Sequence, residues 1–410
     1  MNETRLERIL ERNKMSKVLY TYERMIPTVA IMKNAEEKNK KSIGLETRFK
    51  KITEITQEDI DWCDLLEMIR PSDPYSVFLA KRAREAGCFV MSFFDDDLYS
   101  PPASRPTPKW RIRSVKKALG ISNILATCSP HIREKYRDFT ADKRAVCSDS
   151  VVNPSEIKLI PELTEAPLEQ KVKLIYAANA GHTVFFNHFL LPIMPKLAER
   201  YAGKISMTFM GVQPELSQFE SQIDIEKFSS MPLEEYRRKI QDGNYDIGLS
   251  PLISDEFTKC KYFNKFIEYT MAGIVGMYSN TEPYTYVVKD GENGFLVNDQ
   301  PEDWYQALCK VIDDALLRNR CVCNAQNLLL TEFTEEAVDA IRIQSIPELS
   351  CYDAPRTPCK SLFLQRQLYR VIPIADKIYQ VFFYLRHSGI SGLINKAKIH
   401  FREKDAFSNK

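Results

Sequence analysis

The feature that most constrains the fold is the alternation of short β-rich runs with longer helical stretches. From Lys17 the chain reads KVLYTY, a helical stretch over about 26–40, then IGLETRFKKI, DLLEMI and a helical stretch over about 74–86. CFVMSFF, a helix near 108–119, ISNILATCS, HIREKYRDF and RAVCSDSVV complete this first series. Such alternation is typical of a parallel sheet whose strands are joined by crossover helices.

A second series of the same kind follows a segment without periodicity. It begins with KVKLIYAANAGH and continues through a helix near 184–201, ISMTFMG, a helix over 232–242 and YDIGLSPL. It ends with a helix in KYFNKFIEYTMAG, the strand IVGMYS, a short helix over 284–289, the strand FLV and a helix over 301–316. A chain of 410 residues is long enough for two such domains.

The predicted boundaries follow from these two series. We expect an N-terminal domain over 1–155, a linker over 156–172 and a second domain over 173–333. Residues 334–350 are predicted to form a helix that returns toward the N-terminal domain, and 351–410 a basic amphipathic tail. Both domains are expected to close their cores before this tail, so that a chain ending near Ser350 should fold.

Composition excludes several classes of function. The net charge of +2 gives no indication of nucleic acid as a partner. Ten cysteines without a Cys-x-x-Cys pair, and five histidines without zinc-ligand spacing, predict no metal site and indicate a reducing cytoplasm. The start MNETRLERILERNK lacks the apolar core of a signal peptide, and no window approaches the roughly 18 apolar residues of a spanning helix. We therefore expect a cytoplasmic protein, soluble or peripheral.

Glu268 is an unusual charge in a mostly apolar segment, KFIEYTMAGIVGMYSN. A helix counted from Lys261 puts Lys261, Lys265 and Glu268 on one stripe and ends near Gly273. The other stripe, which would pack on the sheet, contains Phe263, Phe266, Ile267 and Thr270. Glu268 then either pairs with Lys265 on a solvated face or contacts a ligand.

The loops around this helix favour a ligand. In an open α/β sheet, ligands bind outside the carboxyl ends of the strands, where SPLISDEF and SNTEPY arrive. Helix N-termini there offer amides to phosphates, and a carboxylate accepts hydrogen bonds from ribose hydroxyls. Together these features predict a site for a nucleoside diphosphate.

The run DIGLSPLISDEFTKCKYFNKFIEYTMAGIVGMYSNTEPYTYVVKDGENGFLV resembles the donor-binding domain of GT-B glycosyltransferases. The similarity is to the large retaining family that includes glycogen and sucrose synthases, and it extends from about Lys173 to Phe333. AREAGCFVMSFFDDDLYSPP with ISNILATCSPHIREKY is similar to the acceptor-side domain of polysaccharide-assembly members. The resemblance implies an α/β protein with two Rossmann-like domains facing a central cleft and a helical C-terminal tail.

The resemblance also implies an activity. A sugar would move from a nucleotide diphosphate donor to a glycan or lipid-linked acceptor in cell-surface polysaccharide assembly, with retention of configuration and without a metal. The nucleotide sugar is then a co-substrate, and no cofactor is expected. Two alternatives stay open: a sugar-nucleotide epimerase of the same fold, and an inactive sugar-nucleotide-binding subunit.

Candidate donor-binding residues follow from the same resemblance. The position of Glu268 implies a contact with ribose, and a subgroup of the family has lysines at the positions of Lys261 and Lys265. Cys260 stands where the family has an acidic residue, so Asp255 or Glu256 would contact the sugar instead. The other candidates lie in neighbouring loops and are Gly181, Tyr284 and the catalytic candidate His182.

Two further regions have open interpretations. The run Asp95-Asp96-Asp97 contains a formal D-x-D motif. It has a structural role, binds a metal or contributes to the acceptor cleft. In the acceptor cleft, Asp96 and Asp97 are the catalytic candidates. The tail from Lys360 to Lys404 has nine basic and two acidic residues among aromatic and aliphatic ones. It is expected either to lie on an anionic membrane, at its inner face, or to pack on the protein with a basic outer face.

Overall fold

The structure is a computed structural model that describes residues 16–38, 45–102, 106–165 and 171–408, with side chains as far as residue 390. The chain divides into two compact units. One contains the chain up to Val151 together with Glu335–Lys396, and the other contains Val152–Thr334 with the end of the chain from Ala397. Residues 39–40 and 43–44, at the ends of two predicted elements, and residues 166–170, within the predicted linker, lie outside the described residues.

The first unit contains a six-stranded parallel sheet in the order β2-β1-β3-β4-β5-β6. Its strands are β1 (Lys17–Tyr22), β2 (Glu46–Lys51), β3 (Leu65–Ile69), β4 (Phe89–Phe94), β5 (Ile124–Thr127) and β6 (Arg144–Cys147). The helices between them are α1 (Pro27–Lys38), α2 (Gln57–Trp62), α3 (Pro74–Glu85), α4 (Lys109–Ile121) and α5 (Pro130–Tyr136). Asp73 starts α3 by accepting hydrogen bonds from the amides of Tyr75 and Ser76, with Pro74 at the first helical position.

The second unit contains another six-stranded parallel sheet, in the order β12-β11-β10-β7-β8-β9. Its strands are β7 (Val172–Ala177), β8 (Ile205–Met210), β9 (Asp224–Phe228), β10 (Ile247–Ser250), β11 (Val275–Ser279) and β12 (Phe295–Val297). The helices are α6 (Thr183–Phe189), α7 (Met194–Arg200), α8 (Leu233–Asp242), α9 (Asn264–Met271), α10 (Pro301–Asp313) and α11 (Ala315–Glu332). The prediction of an α/β protein with two parallel sheets is confirmed.

Two helix predictions for the second unit are wrong, and one strand was not predicted. The helix expected over 184–201 is two helices, separated by a 3-10 turn over Leu191–Ile193. The helix expected over 301–316 ends at Asp313, because the side chain of Asp314 accepts a hydrogen bond from the amide of Leu317 and starts a new helix. Strand β9 was not predicted, since DIEKF is charged and forms the edge of the sheet.

Strand order locates a crevice in the second sheet. From β7 the chain continues to β8 and β9 on one side of that strand, whereas β10, β11 and β12 lie on the other side. The order therefore reverses between β7 and β10, and the loops after these strands separate at their carboxyl ends. Ligands of open α/β sheets bind at such a reversal.

The chain returns to the first unit through α12 (Glu335–Ser345), α13 (Phe363–Leu368) and α14 (Ile372–Ser408), which belongs to this unit as far as Lys396. Helix α14 is interrupted at Gly389, with φ +63°. Cys359, Leu362 and Tyr369 are buried in the same core as Leu66 and Leu79. The expectation that the first core closes before residue 351 is therefore wrong, because the segment after Ser350 supplies part of that core.

Helix α12 contributes a mostly buried charge to the first unit, since the side chain of Arg342 is 16% exposed. Arg342 donates hydrogen bonds to Glu36 at 2.6 Å, to the Tyr20 hydroxyl at 2.6 Å and to Glu67 at 3.3 Å. Burial raises the pKa of Glu67 to about 7, although the charge of Arg342 opposes this change. None of the helices within the described residues is long and apolar enough to cross a membrane.

Candidate functional site

Helix α9 follows strand β10 at the reversal of strand order. It begins at Asn264, and no side chain caps its N-terminus. The predicted helix from Lys261 is therefore too long by one turn, and Lys261 lies before the helix. Gly273, with φ +74°, follows the last turn as expected, and its conformation favours glycine.

The apolar side of α9 packs against the sheet. Phe266, Ile267 and Thr270 are buried, as the spacing predicts. Tyr269 is also buried, and its hydroxyl donates to the carbonyl of Leu249 in β10 at 3.1 Å. A side chain at Gly248 would meet the Tyr269 ring at 2.4 Å, so this glycine allows the helix to approach the strand closely.

The polar side of α9 holds a cluster centred on Glu268. Its Oε2 accepts hydrogen bonds from Lys265 at 2.6 Å and from the Tyr236 hydroxyl in α8 at 2.7 Å. Lys265 also donates to the Tyr236 hydroxyl. Within the part of the chain that the structure describes, Oε1 of Glu268 accepts no hydrogen bond, and the side chain is 31% exposed. A second acceptor is therefore available to a ligand.

The loop between β10 and α9 is a compact turn. Oδ1 of Asp255 accepts hydrogen bonds from the amides of Phe257 at 2.9 Å and Thr258 at 2.7 Å. Glu256 is exposed and pairs with Lys259 at 3.3 Å. Cys260 is fully buried, and its thiol donates to the carbonyl of Glu256 at 3.3 Å. Cys260, which stands where the family that the sequence resembles has an acidic residue, is thus part of the packed turn.

Lys261 follows this turn, with its ammonium group 5.1 Å from the centre of the Phe257 ring. Its charge, with that of Lys265, acts on His182 in the loop after β7. Burial, Lys261 and Lys265 together lower the pKa of His182 to about 4. The structure therefore brings these three predicted residues to one edge of the sheet, with the imidazole neutral at pH 7.

His182 ends a short 3-10 turn, Ala180–His182, directly after β7. The turn is started by Asn179, whose side chain accepts a hydrogen bond from the exposed amide of Gly181 at 3.1 Å. The Tyr176 hydroxyl donates to the carbonyl of His182 at 3.0 Å, and the imidazole packs edge-on against Phe185. These contacts fix the loop at the carboxyl end of β7.

Tyr284 lies after β11 and is buried. Its hydroxyl hydrogen-bonds to the Ser250 hydroxyl at 2.6 Å, at the end of β10, and its ring packs on Tyr278. Close by, the Ser279 hydroxyl accepts a hydrogen bond from the amide of Leu252 at 2.8 Å. Tyr284 therefore holds together the loops after β10 and β11.

Comparisons with solved structures agree with this architecture. HepE of Anabaena, in complex with UDP and glucose, superposes with a TM-score of 0.57 at 11% identity, over 82% of this chain and 100% of HepE. A glycosyltransferase from Rickettsia africae gives 0.55 at 12% identity, over 83% of this chain and 100% of that one. The E. coli trehalose-6-phosphate protein bound with UDP-2-fluoro glucose gives 0.54 at 10% identity, over 82% of this chain and 100% of that one.

The chain has the GT-B fold. Neither a protein-family model nor a curated protein matches the sequence. Membership of the polysaccharide-assembly subgroup therefore stays a prediction. The architecture of two parallel sheets is observed in the structure.

In the first unit of this GT-B chain, the three consecutive aspartates follow β4. Arg70 donates to Asp95 through both Nε and Nη2, the latter at 2.6 Å, and Thr28 donates to the same carboxylate. Asp97 is fully buried and accepts hydrogen bonds from Tyr136 at 2.6 Å and Lys135 at 2.9 Å.

Although burial would raise the pKa of Asp97, the hydrogen bonds from Tyr136 and Lys135 hold it below its ordinary value. Asp97 also accepts from the amides of Tyr99 and Ser100, so its carboxylate holds the loop after β4 in place. Asp96 is partly exposed between these two anchored neighbours, where it stays a candidate for contact with an acceptor.

Sequence patterns did not indicate Tyr236 as part of the polar cluster around Glu268. It lies 32 residues before Glu268. Its pKa is raised mainly by burial and further by the negative charge of Glu268. Its only local signal is one aromatic residue in the charged helix LEEYRRKIQD. Tyr236 therefore fixes the carboxylate of Glu268 through a hydrogen bond from the neighbouring helix α8.

Proposed function

We propose that this protein is a glycosyltransferase that moves a sugar from a nucleoside diphosphate donor to a glycan or lipid-linked acceptor. The observation that carries the proposal is the group of His182, Lys261, Lys265 and Glu268 at the reversal of strand order. The fold supports the same class, because HepE, which shares it, has been solved with UDP and with UDP-glucose.

The donor would bind across the carboxyl ends of β7 and β10. Oε1 of Glu268 would accept hydrogen bonds from the ribose hydroxyls, since Oε2 is already occupied by Lys265 and Tyr236. The two lysines and the uncapped N-terminus of α9 would bind the diphosphate. Gly181, Asp255, Glu256 and Tyr284 complete the proposed donor-binding set.

Chemistry would begin with departure of the diphosphate. The bond between the anomeric carbon and the diphosphate oxygen breaks, and the electron pair goes to the phosphate, where Lys261 and Lys265 would stabilise the added charge. The acceptor hydroxyl forms the new glycosidic bond, and its proton passes to the departing diphosphate oxygen. His182, neutral at pH 7, would hydrogen-bond to the transferred sugar without adding a charge. We propose retention of configuration and no requirement for a metal.

The acceptor and the location are further parts of the proposal. We place the reaction in cell-surface polysaccharide assembly, in the cytoplasm or on the inner face of the membrane. The similarity of the run around Asp96 to acceptor-side domains supports this part, and Asp96 is the residue we assign to the acceptor.

The first experiment is a thermal-shift screen with UDP, GDP, ADP, CDP and dTDP. One of them should raise the melting temperature, because a ligand that binds only the folded state stabilises it. The matching nucleotide sugar is then incubated with the protein and glycan or lipid-linked acceptors, and the release of nucleoside diphosphate is measured. Binding without release would show an inactive subunit, and conversion of the sugar without an acceptor would show an epimerase. Either result would overturn the proposed transfer.

A further inference from the structure

The C-terminal helices expose a continuous row of large apolar side chains. From Phe363 the chain is helical through α13, a 3-10 turn over Tyr369–Val371 and α14. The row, which we call the apolar stripe, contains Leu364, Leu368, Val371, Ile374, Ile378, Val381, Phe382 and Leu385, all of them exposed. Phe382 is 67% exposed and Ile378 is 53% exposed. Their spacing of three and four residues puts them on one side of the helical segment.

The opposite side of this segment is fixed to the first unit. Tyr369 is buried, and its ring lies 5.5 Å from that of Tyr75 in α3. Asp376 is buried and accepts hydrogen bonds from Arg111, which also donates to Glu23 at 2.8 Å. Because one side is held by core packing and buried ion pairs, the apolar stripe stays on the outer surface.

The charges near the stripe are of one sign. Between Lys360 and Ile390 there are five basic residues, and Asp376 is the only acidic one. Asp376 is buried against Arg111, whereas Arg370, Lys377 and Arg386 are exposed. Two copies of such a surface would repel each other. An anionic phospholipid surface would instead attract each basic residue and accept the apolar side chains.

We propose that the apolar stripe docks on the surface of an anionic phospholipid bilayer. The apolar side chains would enter the boundary between head groups and acyl chains, and Arg370, Lys377 and Arg386 would pair with lipid phosphates. The segment lies on the membrane and does not cross it, in agreement with the hydropathy of the described helices.

Docking also has a consequence for the acceptor, and this part rests on the proposed function. A cavity of about 440 Å³ lies beside β1 and β3, where the strand order of the first sheet reverses. Gln380 and Tyr384 of α14 line this cavity, together with Arg24 and Arg70. A helix is about 10 Å thick, so a lipid-linked acceptor at the docked surface would be within about one helix diameter of the cavity.

The test is co-sedimentation of the full chain with vesicles of phosphatidylglycerol and phosphatidylcholine, compared with phosphatidylcholine alone. The double variant Ile378→Ser/Phe382→Ser should reduce the partition coefficient by about a hundredfold, since burial of each large apolar side chain contributes about tenfold. Ile341→Ser is the control, because Ile341 is 46% exposed and lies outside the stripe. It should partition like the wild type.

Two controls separate this proposal from the proposed function. UDP is added to each variant in a thermal-shift measurement, and the stripe variants should keep the wild-type response. Equal sedimentation of the double variant and the wild type would overturn the docking surface, whatever the response to UDP. Sedimentation that falls in the double variant while none of the five nucleoside diphosphates of the screen stabilises the wild type or any variant would support docking and overturn the donor site.

A second copy of the chain is the competing occupant of the stripe. If analytical ultracentrifugation without vesicles shows a dimer that Ile378→Ser/Phe382→Ser converts to a monomer, the stripe is a protein interface and the proposal is wrong. A monomeric wild type that sediments only with anionic vesicles supports it.

Discussion

Replacing Glu268 with alanine should weaken binding of the donor nucleotide while leaving the protein folded. Oε1 is available for one charge-assisted hydrogen bond to a ribose hydroxyl, and such a bond contributes about 1.5–3 kcal/mol. The dissociation constant for UDP should therefore rise by roughly ten- to a hundredfold. The buried side of α9, with Phe266, Ile267 and Thr270, is unchanged by the substitution.

The cost to stability should be small by comparison. The ion pair of Glu268 with Lys265 is partly exposed, and pairs of this kind contribute about 0–1 kcal/mol. The Tyr236 hydroxyl also loses its acceptor, which adds about 1 kcal/mol. A loss of unfolding free energy above roughly 3 kcal/mol would show that Glu268 is mainly structural.

Calorimetry with two ligands isolates the ribose contact. Wild type and Glu268→Ala are titrated with UDP and with 2′,3′-dideoxy-UDP, and Glu234→Ala serves as the control because Glu234 is 81% exposed on α8. The penalty of Glu268→Ala should nearly disappear with the ligand that lacks both hydroxyls. An equal penalty with both ligands, or none with UDP, would refute the ribose assignment.

Three further predictions concern titration and metals. An NMR titration of His182 should give a pKa of about 4, and this pKa should rise in Lys261→Ala because one of the neighbouring positive charges is removed. Neutral His182 stabilises the fold above pH 6.5, and this stabilisation should be lost as the pH falls toward 4. Because burial raises the pKa of Glu67 to about 7, its protonated form stabilises the fold below pH 4.5, and up to roughly 3 kcal/mol should be lost as the pH rises through 7. Urea titrations at several pH values should show this loss in wild type but not in Glu67→Gln. Sugar transfer should continue in EDTA, because Lys261 and Lys265 can stabilise the leaving diphosphate; a complete loss that manganese restores would contradict the assignment.

The sequence predicts those parts of the fold that local spacing determines. The buried side of α9 follows helical periodicity, so Phe266, Ile267 and Thr270 are assigned correctly from spacing alone. The placement of Lys261 on the helix is wrong, because the start of the helix depends on the turn at Asp255. The side chain of Asp255 accepts hydrogen bonds from two backbone amides in that turn. Spacing cannot show which side chains accept hydrogen bonds from the backbone amides of a turn.

Contacts between distant segments are the part that sequence patterns miss. Tyr236 joins the polar cluster only because α8 packs beside α9 in the folded unit. The core of the first unit is completed by Cys359 and Leu362. Both residues lie in the segment that follows the second unit in the chain, and the composition of this segment resembles that of a tail. An isolated sequence gives no sign that such a segment packs on strands formed some three hundred residues earlier.

The position of Arg342 in the chain has a consequence for biosynthesis. Glu67, to which this arginine donates a hydrogen bond, lies 275 residues earlier. At roughly 5–20 residues per second, a ribosome needs about 15–55 seconds to reach the arginine after adding the glutamate. During that interval most of the second unit, Val152–Thr334, is synthesised as one stretch that can begin to fold, whereas the first unit has all its strands but lacks both the Arg342 cation and the side chains that close its core. The N-terminal half of this protein should therefore be the last to become native, and the half most dependent on chaperones while synthesis continues.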